Sequence, residues 1–274
     1  MSSPFSYADA HIFVAGGTSG INLGIAQAFA RAGARVSVLS RSQDKVDAAV
    51  AALRELGPDA FGVTADVRDY AAVEAALRAA HVKFGAIDVL VSGAAGNFPA
   101  PALGLSPNGF KTVVDIDLLG TFHVLRAAFE FLRKPGAAII NISAPQAEHP
   151  MELQMHVCAA KAGVDMITRV AALEWGPLGV RINSIVPGPI ENTEGMQRLA
   201  PTPALAQLVA DSVPLKRFGA AQEIADACLW LASPMASYVT GAVIPVDGGW
   251  SLGGTAVSGD GLKKAFAAMA KATS

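Results

Sequence analysis

The chain has 274 residues, 52% apolar, 16% charged and 7% aromatic, enough to bury the core of one large globular domain. A formal charge of −2 supplies no broad basic field, which argues against nucleic acid as a partner and requires any anionic ligand to be held by a local cluster. No stretch reaches the roughly 18 uncharged apolar residues of a membrane span, and the distant Cys158 and Cys228 have neither disulfide-framework nor metal-ligand spacing, so no metal site is expected.

From the N-terminus, MSSPFSYADAH lacks the basic start and apolar run of a signal peptide. Short β-rich runs then alternate with longer helical patterns: HIFVAGG with GIAQAFARAG, RVSVLSR with DKVDAAVAALREL, AFGVTADV with AAVEAALRAAHVKFG. Gly85 reads as the stop of the last of these helices. IDVLVSGAA follows, and Ser106-Pro107 predicts an N-cap and first-turn proline ahead of GFKTVVDIDLLGTFHVLRAAFEFL. AAIINISA, VRINSIVPG and GAVIPVDGG complete the series. The runs lack polar alternation, so they suit strands covered on both faces. The expected fold is α/β, a single Rossmann-type doubly wound parallel sheet with helices on both faces, as one domain over 1–274. The Gly/Ser-rich SLGGTAVSGDG opens a C-terminal extension, 251–274, with a short final helix; the closing KATS matches no carboxy-terminal address, and a soluble, cytoplasmic protein is expected.

GGTSGINLG, from Gly16 to Gly24, lies between the first strand and the first helix. Its spacing is not G-x-G-x-x-G, but its place is that of a dinucleotide loop, with Gly16, Thr18, Ser19, Gly20 and Ile21 as cofactor-binding candidates. Glycines let the backbone turn sharply and approach a pyrophosphate. The second strand ends in Ser40-Arg41. An arginine with hydroxyl neighbours suits a ribose 2′-phosphate, which predicts NADP(H), the alternative being a solvated loop arginine. Asp66-Val67 ends the third strand, where Asp66 can accept the adenine amino group or cap the next helix.

The glycine loop, Asp66-Val67, IDVLVSGAAG, Lys161, RINSIVPGPIENT and the last strand with DGG together resemble the short-chain dehydrogenase/reductase family across nearly the whole chain. The resemblance implies a nicotinamide cofactor and usually a homotetramer. Pro187, Gly188, Ile190 and Thr193 match the segment that meets the nicotinamide amide and pyrophosphate. Of the family's Asn, Ser, Tyr and Lys proton-handling set, only Lys161 is kept; Asp117, Ala144 and Val157 occupy the other places. Asn22 replaces the loop's third glycine, Ala15 its threonine, and Ser92-Gly93 the usual Asn-Asn.

AAGNFPAPALGLSPNGFKTVVDIDLLGTF, EWGPLGVRIN and PGPIENTEG more narrowly resemble 2,4-dienoyl-CoA reductases, above all the peroxisomal type, which also lacks the tyrosine. That resemblance implies NADPH-dependent reduction of 2,4-dienoyl-CoA to 3-enoyl-CoA in unsaturated fatty acid degradation. A valine has no proton to give an alkoxide, but hydride added to a conjugated thioester leaves its charge on a distant oxygen, so the acid can stand elsewhere. By resemblance Asn97 donates to that oxygen and Asp117 handles the proton; a structural ion pair with Lys161 is compatible with this. Asp115, two residues away, should face solvent. Lys161 would also bond the nicotinamide ribose. Asp247 in VDGG matches a second proposed acid, or serves a turn. His156 tempts as an acid, yet lies about 100° around the helix from position 157. Arg68, Phe98, Ser106, Asn108 and Arg198 would contact an acyl-CoA, beneath a helical lid at about 194–215. The competing readings are another NADP-dependent ketone or alcohol oxidoreductase and a nucleotide-binding pseudoenzyme.

Overall fold

A computed structural model describes residues 5–254 together with Gly261 and Lys264, so most of the expected C-terminal extension lies outside the described residues. Strands β1 (His11–Ala15), β2 (Arg35–Ser40), β3 (Ala60–Thr64), β4 (Val89–Ser92), β5 (Ala138–Ile142), β6 (Arg181–Pro187) and β7 (Val243–Val246) coincide with the seven apolar runs. They form one parallel sheet in the order β3-β2-β1-β4-β5-β6-β7. The order reverses between β1 and β4, where a doubly wound sheet opens a crevice at its C-terminal edge.

Side-chain alternation sends successive strand residues to opposite layers. Ile12 and Val14 pack with helices α1 (Gly20–Arg31), α2 (Gln43–Arg54) and, later in the chain, Ala221–Ala232. Phe13 and Ala15 pack with α3 (Tyr70–Phe84) and with the helices over Gly120–Ala128 and Met155–Trp175. Both faces being covered explains the absence of polar alternation. Among the buried polar strand residues, His11 bridges the Gly85 carbonyl and the Ser37 hydroxyl at 2.9 Å each. Burial lowers its pKa to about 4, so it is a neutral strut at pH 7.

Helix ends follow their sequence signals. Ser106 caps α4 (Pro107–Val114) by accepting from the Gly109 amide, and Gly85, at φ +82, ends α3. The single helix read from GFKTVVDIDLLGTFHVLRAAFEFL is interrupted. Between α4 and α5 (Gly120–Ala128) runs a wide turn, Asp115–Leu119, in which the Gly120 amide bonds Asp115 O, five residues back. Such a bulge re-aims one turn of side chains and recurs at functional sites. After α6 (Met155–Trp175), the segment read as a lid contains α7 (Glu194–Leu199) and α8 (Pro203–Ser212). The last helix, α9 (Ala221–Ala232), packs on α1. Among the described residues no helix is long and apolar enough to cross a membrane.

Candidate active site

A cleft of ≈ 620 Å³ opens at the C-terminal edge of the sheet, floored by the ends of β1, β4, β5 and β6 and roofed by α7. Gly16 follows β1 at φ +78, and a Cβ added there would lie 2.9 Å from the Ala94 backbone. Only glycine meets both demands. Gly20, at φ +54, opens α1, whose N-cap Ser19 makes no side-chain capping bond. The first-turn amides therefore keep their donors for a ligand, and this donor set with its Cβ-free approach fits a dinucleotide pyrophosphate.

The departures at 22 and 93 compensate each other. Asn22 Nδ2 donates to Gly93 O at 2.7 Å, and a Cβ on Gly93 would lie 2.2 Å from Asn22 Oδ1. The side chain thus fills the space vacated opposite it, tying α1 to the end of β4. Gly93→Asn alone is expected to cost about 1–3 kcal/mol of stability by overpacking. Adding Asn22→Gly should recover most of that loss in urea denaturation; a double variant no better than Gly93→Asn would refute the pairing.

The wide turn carries Asp117 inward and leaves Asp115 outside the cleft lining, paired with Lys111. Asp117 is 1% exposed. Its Oδ1 accepts from the Gly96 amide at 2.7 Å, and its Oδ2 stands 3.4 Å from Lys161 Nζ. Lys161, buried on α6, donates to Ile142 O at 2.9 Å. Burial raises the Asp117 pKa, opposed by the Lys161 charge and the Gly96 amide. The result is a desolvated carboxyl beside a cation, with its proton held more tightly than in water. Val157, at the tyrosine position, lines the same cleft and offers no polar atom. His156 is wholly buried, edge-on to Phe98 with ring centroids 4.5 Å apart, and burial lowers its pKa.

Asn97, Asp117 and Lys161 line the cleft together. So do Gly16, Thr18, Ser19, Gly20, Ile21, Ser40, Arg41, Asp66, Val67, Pro187, Gly188, Ile190 and Thr193. Asp66 is not a helix cap: Asp69 caps α3, while Asp66 pairs with Arg68 at 2.6 Å and is held below the usual carboxylate range by it. Of the acyl-CoA candidates Arg198 lines the cleft; its guanidinium donates to Asn97 O at 2.9 Å. Arg68, Phe98, Ser106 and Asn108 stand outside the lining, with the Ser106 hydroxyl spent on its cap. Asp247 also stands outside, its two oxygens accepting from the Gly249 and Ser251 amides at 2.8 Å each, a turn-holding arrangement.

Sequence reasoning missed several polar groups at the site, among them Lys45, Gln146 and Asp165. Lys45, on the first turn of α2, lines the cleft. Buried Gln146 lines it too, and its amide donates to Gln154 at 2.9 Å. Asp165, one turn beyond Lys161 on α6, is buried with its pKa raised by desolvation. Its spacing of four from Lys161 was the one available signal.

The family described as Enoyl-(Acyl carrier protein) reductase matches residues 15–251. The peroxisomal 2,4-dienoyl-CoA reductase [(3E)-enoyl-CoA-producing] of Rattus norvegicus is 47% identical over 239 residues, 86% of this chain and 82% of that protein. The peroxisomal enzyme of that name from Saccharomyces cerevisiae is 42% identical over 246 residues, 88% of this chain and 84% of that protein. Among solved structures, a short-chain type dehydrogenase/reductase from Mycobacterium ulcerans superposes with a TM-score of 0.86 at 31% identity, covering 90% of this chain and 92% of its own. A parallel sheet in this order, a glycine cradle after β1, a buried lysine on α6 and relatives matched over most of their length lead to one assignment: the chain belongs to the short-chain dehydrogenase/reductase family.

Proposed function

We propose that this protein reduces 2,4-dienoyl-CoA to 3-enoyl-CoA with NADPH, in the degradation of unsaturated fatty acids. The observation that carries the reading is the buried Asp117–Lys161 pair facing a cleft in which valine holds the tyrosine position, in a chain 42–47% identical to enzymes named for that reaction. Such a cleft has no hydroxyl to protonate a ketone oxygen at position 157 or 144, which disfavours the ketone or alcohol oxidoreductase. An intact acid–cation pair disfavours the pseudoenzyme.

When bound, the reduced nicotinamide supplies a hydride to the far carbon of the conjugated system. The electron pair then runs to the thioester oxygen, where the Asn97 amide donates a hydrogen bond. Asp117, its pKa raised by burial, gives its proton to the α-carbon. The carboxylate left behind is stabilised by Lys161 and the Gly96 amide. Lys161 also holds the nicotinamide ribose, and Arg198 takes a CoA phosphate at the mouth. Ser40 and Arg41 hold the 2′-phosphate. A homotetramer is part of the proposal: Met166, Val170 and Leu173 expose an apolar stripe on α6, and Leu119 and Phe122 are exposed as well.

The test is NADPH oxidation with 2,4-dienoyl-CoA, 2-enoyl-CoA and a ketone panel. Turnover is expected with the dienoyl thioester and 3-enoyl-CoA as product. Arg41→Ala should weaken NADPH binding about tenfold, the loss of a charge-assisted contact of about 1.4 kcal/mol, while NADH binding stays within about twofold. Intact NADPH binding without dienoyl turnover would rule the reading out.

A further inference from the structure

The adenosine end of the cleft and the lid are joined by a chain of ionic contacts. Lys45 Nζ, on the first turn of α2, lies 3.2 Å from Glu194 Oε1 at the start of α7. Glu194 Oε2 lies 3.2 Å from Arg198 on the next turn of α7, and Arg198 donates to Asn97 O at 2.9 Å. All four residues line the cleft that Ser40 and Arg41 also line. The path therefore runs from the pocket read as the 2′-phosphate site to the asparagine read as the thioester donor.

We propose that Lys45 is a specificity-determining residue shared between two anions: the lid carboxylate of Glu194 when the cofactor is absent, and the 2′-phosphate of NADP(H) when it is bound. The inference rests on the cofactor reading above and deepens it. Lys45 and Glu194 side chains are 54% and 57% exposed, and an ion pair so exposed contributes about 0–1 kcal/mol, so exchanging it costs little. A phosphate monoester carries a charge of about −1.5 to −2 at neutral pH, more than one carboxylate, and offers three acceptor oxygens. Placed beside Arg41 at the N-terminus of the twelve-residue α2, it outcompetes Glu194 for the ammonium and repels the carboxylate. Glu194 is then left with Arg198 alone. Occupation of the 2′-phosphate pocket thereby loosens the tie between α2 and the lid, which NADH cannot do.

Binding of 2′,5′-ADP and of 5′-AMP, measured by calorimetry on the full chain, separates the outcomes. The wild type should bind 2′,5′-ADP more tightly; if it does not, both the cofactor reading and this inference fall. Lys45→Met should weaken 2′,5′-ADP about three- to tenfold and leave 5′-AMP unchanged. Glu194→Gln should tighten 2′,5′-ADP about two- to fivefold, again sparing 5′-AMP, and lose that gain when combined with Lys45→Met. A wild type that discriminates, with Lys45→Met discriminating equally well, or a Glu194→Gln that weakens 2′,5′-ADP, would overturn the shared role of Lys45 and leave the cofactor reading standing.

Discussion

Lys161→Met is expected to cost about 3–5 kcal/mol of folding stability and to lower kcat at least about a hundredfold, because it strands the Asp117 carboxyl in a site that excludes water. Asp117→Ala, the converse, strands the ammonium at similar cost. The double variant Lys161→Met/Asp117→Leu should recover much of the stability and none of the activity, since two apolar groups need no partner. Urea denaturation and steady-state kinetics read the two halves separately. Their pH dependence has a definite sign. The Asp117 pKa is raised above its ordinary 3.8, so the folded protein holds this proton more tightly than the unfolded chain. The stability it contributes is complete below about 3.8 and declines as pH climbs through the window up to the raised value. Removing Lys161 takes away the cation that lowers the Asp117 pKa and widens that window upward. Stability of Lys161→Met that declined no further than wild type with rising pH would contradict the pairing, and unchanged kcat in Asp117→Ala would remove Asp117 from the proposed proton path.

Gly16→Val is the second large effect. A β-branched residue at φ +78 costs at least about 1–2 kcal/mol of backbone strain, and its Cβ would begin 2.9 Å from the Ala94 Cα and N. Neither atom belongs to a flexible side chain, so the loop between β1 and α1 must move. Dinucleotide affinity is expected to fall at least about a hundredfold in a fluorescence titration, with a thermal midpoint several degrees lower. Gly57→Ala makes a useful comparison, since its added Cβ would meet Ala30 at 2.8 Å far from the cleft. Lost stability with kept cofactor affinity is expected there; equal loss of affinity in both variants would show that the Gly16 effect is not local.

The strands and the cleft floor were legible because their signals are local. An apolar run without alternation needs two covered faces, and a glycine-rich turn between strand and helix has one natural place at the sheet's C-terminal edge. Hence every residue read as cofactor-binding lines one cleft. What was illegible depends on partners distant in sequence or on backbone phase. Asn22 reads as a loop defect until Gly93, 71 positions on, supplies its bond. Asp66 read equally well as a cap until Asp69 took that place. Periodicity showed one helix from Gly109 onward, because an extra residue in a turn leaves composition unchanged, yet that turn is what brings Asp117 to Lys161. Ser106 and Asn108 share a matched run with Asn97 but stand outside the cleft lining, at the N-terminal end of α4.

The charged groups of the cleft fall into two classes of exposure. Exposed cations, Arg41, Lys45 and Arg198, line it, while the Asp117–Lys161 pair is shut away from water. Mobile ions screen the first and barely reach the second, with a Debye length of about 8 Å at physiological ionic strength. Added salt therefore slows the capture of anionic ligands and leaves the chemical step almost untouched, so ionic strength becomes the handle that divides arrival from reaction in this enzyme.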